Sequence, residues 1–64
     1  MADYGGLVRD ILLQNQCWFH RRGRGDHDIW KSPLTPTPFT VPDKIKSRHT
    51  ANGILKDAGL PKAF

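Results

Sequence analysis

Of the three histidines in this chain, His20, His27 and His49, only His27 sits in a dense run of charge, Arg21-Arg22-Gly23-Arg24-Gly25-Asp26-His27-Asp28. An unperturbed imidazole titrates near pH ~6.5, so it exchanges a proton near neutrality, as attack by a ribose 2′-hydroxyl on its phosphodiester requires. The arginines offer forked donors that match phosphate oxygens, and the glycines let the backbone approach a ligand closely. Together these residues describe a minimal nuclease: His27 transfers the proton, Arg21, Arg22 and Arg24 bind the phosphate, and Gly25 allows close approach. The same composition also describes an exposed hairpin whose charges are merely solvated. Asp26 and Asp28 flank His27, but in a regular strand they point to the opposite face, so Asp-His-Asp is not a ready-made dyad.

A second basic cluster, Lys44, Lys46, Arg48 and His49, reads either as a solvated face or as a patch that tracks a nucleic-acid backbone near a helix start. The chain carries ten Lys and Arg against six acidic residues, a formal charge of +4 that favours encounter with a polyanion. Cys17 is the single cysteine and has no partner for a disulfide or a zinc site. The spacing of His20, His27 and the carboxylates matches no zinc signature either, so neither a metal nor a cofactor is expected. Trp18 and Trp30 are expected to pack in the core rather than to stack on bases.

These side chains must be held by a small scaffold. Leu7, Val8, Ile11 and Leu12 recur at helical spacing within residues 6–16, with Asp3 available as a cap. Residues 17–20 and 27–31 suit two strands of an antiparallel hairpin around Gly23-Arg24-Gly25. A two-residue turn would pair His27 with His20, and a three-residue turn would pair it with Arg21. The proline-rich stretch 32–38 reads as a loop, and Phe39-Thr40-Val41 as a short third strand ended by Pro42. Ala51, Ile54, Leu55 and Ala58 form the stripe of a second helix, capped by Ser47 or Thr50 and stopped by Gly59 and Pro61. The expected architecture is α+β, α-β-β-β-α, with two helices on one face of a three-stranded antiparallel sheet, burying Leu7, Val8, Ile11, Leu12, Ile54, Leu55 and Ala58.

A length of 64 residues allows one domain, 1–64, of modest stability. Hydrophobic residues make up 38% and charged residues 25%, a balance that argues against disorder. No apolar run approaches the roughly 20 residues that span a bilayer, and the first residues lack the regions of a secretory signal, so a cytoplasmic protein without membrane association is expected.

From Leu7 to Leu60 the chain resembles the HicA/YcfA-like toxins of bacterial toxin–antitoxin modules. That family runs helix, strand with an aromatic, Arg, a Gly-Ser-His element, Val-Pro after a short strand, and a helix ending in Ala-Gly-Leu. Trp18, Arg22, Gly25, His27, Val41-Pro42 and Ile54-Leu55-Lys56-Asp57-Ala58-Gly59-Leu60 stand in those places. In two places the chain departs from the pattern: Cys17 replaces a glycine and Asp26 replaces the serine before the histidine. A carboxylate there would raise the imidazole pKa or repel a phosphate. The resemblance implies a double-stranded-RNA-binding-domain-like fold, ribosome-independent mRNA cleavage with a catalytic histidine at His27, and neutralisation by a HicB-type antitoxin. It also implies a protein that is a monomer or weak dimer when free and a hetero-oligomer with its antitoxin. The competing readings are a catalytically inert RNA-binding module of the same fold and a domain that only holds a protein partner.

Overall fold

The computed structural model describes residues 3–64, so positions 1 and 2 of the expected domain lie outside the described residues. Along the chain run α1 (Gly5–Gln14), β1 (Trp18–Arg22), β2 (His27–Ser32), β3 (Thr35–Pro42) and α2 (Arg48–Asp57). The strands form one antiparallel sheet in the order β1-β2-β3. This is the α-β-β-β-α, α+β architecture expected from the sequence. Val8 and Leu12 from α1 and Ala51, Ile54 and Leu55 from α2 share a core with Trp30, Phe39 and Val41 from the sheet. Trp30 pairs with Phe39 and Asp28 with Val41, which puts these four side chains on the face that the helices cover.

Asp3 does cap α1. Its Oδ1 accepts the Gly5 N–H at 2.9 Å and the Ile45 N–H at 3.2 Å, joining the helix start to the segment before α2. These two donors, Gly5 first, hold the Asp3 carboxyl below its ordinary value of 3.8. Both helices end in Schellman turns. Gln16 (φ 65°) donates to the Leu13 carbonyl and Cys17 to Leu12, while Gly59 (φ 81°) donates to Lys56 and Leu60 to Leu55. Ser47 is the cap of α2, its hydroxyl accepting the His49 N–H at 3.1 Å.

Four expectations need correction. Leu7 is 54% exposed, because the buried stripe of α1 centres on Val8 and Leu12, and Leu7 stands about 100° and 140° round the helix from them. Ile11 is only partly buried. The stretch 32–38 is not a loop: Ser32 ends β2, a turn at residues 33–34 follows, and Pro36 and Pro38 lie in β3. A strand at the sheet edge tolerates prolines, since one side of its backbone has no ladder partner to lose. A register shift between Trp30 and Ser32 accommodates them. Ser32 is itself buried, and its hydroxyl donates to the Ala58 carbonyl at 2.7 Å, fixing the end of α2 to the sheet. Trp18 also departs from expectation: Trp30 is buried, but Trp18 is 46% exposed.

Candidate functional site

His27 opens β2 at the mouth of the β1–β2 hairpin, and it pairs with neither His20 nor Arg21. A bulge between Phe19 and Arg21 shifts the register, so that Arg21 pairs with Ile29 and Arg22 with Asp28. His27 therefore lies opposite Gly23, whose N–H donates to the His27 carbonyl at 2.7 Å. The turn closes with His27 N–H on the Arg24 carbonyl at 3.3 Å, and Gly25 takes the left-handed conformation (φ 61°). On its other side β2 pairs His27 with Pro42, and the Asp43 N–H donates to the Asp26 carbonyl at 2.8 Å. The imidazole is thus exposed on a backbone that is held from both sides.

Its Nδ1 lies 3.3 Å from the Arg24 carbonyl. A carbonyl only accepts, so this contact favours the Nδ1–H tautomer and leaves the Nε2 lone pair, which has no hydrogen-bond partner among the described residues, able to act as a base. An open groove of about 510 Å³ runs between the hairpin and residues 42–44, lined by Asp26, His27, Pro42, Asp43 and Lys44. Asp26 precedes the strand, so it shares the groove with His27 instead of pointing to the opposite face. Asp28 does point away, into the helix-facing side. A second depression of about 400 Å³, lined by residues 37–40 and Asp57, contains neither an imidazole nor a cation.

Arg22 commits both terminal nitrogens to partners within the protein. Its Nη1 donates to Asp28 Oδ1 at 2.9 Å and Asp43 Oδ1 at 3.2 Å, and its Nη2 to the Gly25 carbonyl at 2.8 Å and Asp43 Oδ2 at 3.3 Å. Asp43, then Asp28, hold the guanidinium above its ordinary pKa. Arg9 extends the cluster from α1. It donates to the Pro42 carbonyl at 2.8 Å and lies 3.9 Å from Asp28 and 4.0 Å from Asp43. These two arginines and two aspartates clamp the hairpin to the start of the β3–α2 connection, and they neutralise one another. Eight cations and four carboxylates remain outside this neutral cluster, so the net charge of +4 is carried entirely by the other side chains.

Comparison with family models, with curated proteins and with solved structures finds no match. Of the residues expected to bind phosphate, Lys44 lines the His27 groove, Arg24 and Gly25 form the adjoining turn, and Arg22 is held by its two carboxylates. Arg21 has no carboxylate partner among the described residues and shares with His27 the sheet face away from the helices. Lys46 and Arg48 are exposed around the α2 cap. His20 lies at the β1 bulge and His49 in α2, so the three imidazoles do not form one site. The sequence reading missed Arg9, Asp28 and Asp43 as the residues that position the hairpin. Nothing local marks them, because the cluster closes only when α1, the sheet and the following connection come together.

Proposed function

We propose that the chain is a metal-independent endoribonuclease of the toxin type, which cuts mRNA in the cytoplasm and is silenced by a HicB-type antitoxin. The observation that carries this reading is the exposed His27 imidazole, its Nδ1 directed at a backbone carbonyl and its Nε2 free, beside a groove with a cation on its wall. In this reading Nε2 takes the proton from a ribose 2′-hydroxyl, and the 2′-oxygen attacks the adjacent phosphorus. The 5′-oxygen leaves and takes up a proton from solvent water, while Lys44 and Arg24 stabilise the charge that develops on the phosphoryl oxygens. Arg22 acts indirectly, by holding the hairpin that carries His27.

The products then carry a 2′,3′-cyclic phosphate or a 3′-phosphate and a 5′-hydroxyl, cleavage survives EDTA, and an all-DNA strand stays whole. A 5′-phosphate on the product, or cutting of the DNA strand, refutes the mechanism. RNA binding weakens steeply with salt, because Arg21, Arg24, Lys44, Lys46 and Arg48 displace counterions from phosphates. One observation favours the alternative of an inert RNA-binding module. Arg22, which matches the arginine of the resembled family, is hydrogen-bonded to Asp28 and Asp43, and these carboxylates compete with a phosphate for it.

A further inference from the structure

The face of the sheet that the helices leave uncovered carries an indole, cations and an imidazole among apolar and hydroxyl side chains. The backbone register puts Trp18 beside Lys31, Arg21 beside Ile29, and His27 beside Pro42, all on that face. Trp18 is 46% exposed and Arg21 is exposed, whereas the alternate positions of β2 turn Trp30 and Ser32 into the core. No carboxylate stands among the paired residues of this face: Asp28 points inward to Arg22, and Asp26 lies in the turn, where it lines the groove beside His27 at the end of the row. The row therefore offers an aromatic platform, two cations without acidic partners and the imidazole. From Lys31 to His27 it spans roughly 13 Å of strand.

We propose that this face is the track of a single-stranded RNA, with one base stacked on Trp18, the backbone neutralised by Arg21 and Lys31, and the strand delivered to His27. The proposal rests on the ribonuclease reading for its endpoint and deepens it by naming the substrate as single-stranded. Charge selects this occupant. A polyanion complements two unpaired cations, and an indole gives every base a stacking surface without reading its sequence. A duplex is too stiff to unstack a base onto Trp18, so the face discriminates against it.

The test separates binding from cutting. An end-labelled, 2′-O-methylated single-stranded hexanucleotide lacks the nucleophile, and its anisotropy reports binding alone. Trp18→Ala is expected to weaken binding about tenfold, with Trp18→Phe restoring most of it. Arg21→Ala and Lys31→Ala each weaken it and lower its salt dependence. Lys56→Ala with Lys62→Ala, which removes two charges from elsewhere, leaves it within about twofold. Circular dichroism confirms that each variant is folded, and quenching of tryptophan emission by the oligonucleotide in the parent, compared with Trp18→Phe, which retains only the buried Trp30, isolates the Trp18 contribution.

Unchanged binding in a Trp18→Ala, Arg21→Ala double variant overturns the track, as does preference for a duplex. Self-association that shields Trp18 at working concentrations assigns the face to a second copy of the chain and overturns the track too. Binding that follows these expectations in a protein that cuts no RNA retains the track and refutes the ribonuclease. Cutting that persists with binding insensitive to Trp18 does the reverse.

Discussion

Replacing Gly23 with alanine tests whether the hairpin geometry sets the position of His27. An alanine Cβ at this position would lie 2.8 Å from the His27 carbonyl oxygen and 3.1 and 3.2 Å from the Ile29 side chain. The end of Ile29 can rotate away, but the carbonyl cannot, because it accepts the Gly23 N–H at 2.7 Å and belongs to a strand paired on its other side to Pro42. The hairpin must open by several tenths of an ångström. Overpacking of this kind costs about 1–3 kcal/mol, and the reduced entropy of the unfolded chain offsets up to about 1 of it. The net loss is then about 1–2 kcal/mol. Gly25→Ala is the matched control, since a Cβ there meets nothing within 4 Å and only the left-handed conformation resists it. Urea melts give the stability of both variants, and cleavage is measured where both remain fully folded. Gly23→Ala is expected to lose more activity per folded molecule than Gly25→Ala. Equal activity in the two, or a Gly23→Ala protein as stable as the parent, would refute the positioning role of this contact.

Leu55→Ala is expected to cost about 2–4 kcal/mol, a large share of the roughly 3–10 available to a domain of this size, since Leu55 is completely buried. An unchanged thermal melt would remove Leu55 from the core. Gln16→Gly is expected to stabilise by about 0.5–1 kcal/mol, because Gln16 holds the left-handed position of the first Schellman turn that glycine adopts without strain. A lower urea midpoint would contradict this. The folded state depresses the Asp3 carboxyl, so the stability it contributes is present above the ordinary value of 3.8 and is lost as pH falls through the lower, folded value. Asp3→Asn keeps an acceptor oxygen but removes that titration, so its urea midpoint is expected to change less between pH 5 and pH 2 than that of the parent. Parallel curves would show that Asp3 is not responsible.

The order of elements was legible because both helices carry local signals: the apolar stripe of α2 with Ser47 before it and Gly59 after it, and the Val8–Leu12 spacing in α1. The features the sequence hid depend on contacts distant in the chain. Pro36 and Pro38 forbid a central strand but permit an edge strand, and only the sheet order shows that β3 is an edge. Ile45 lies between Lys44 and Lys46 in what reads as a polar connection. It is nevertheless buried, and its carbonyl accepts the Tyr4 N–H at 2.6 Å. The two tryptophans are alike in sequence context, and strand alternation, displaced by the bulge near His20, decides which of them is buried. The prominence of His27 is a local feature of the sequence, whereas the hairpin register does not follow from turn length because Gly23 takes the place opposite His27.

The central claim is that His27 performs proton transfer in RNA cleavage, and single-turnover cutting of a structureless RNA by the parent and by His27→Ala tests it most directly. The side chain is exposed and contributes no core packing, so the two proteins should melt alike. His27→Ala should cut at least roughly 100-fold more slowly. Equal rates from two proteins with the same melt would contradict the assignment of His27 as the catalytic residue.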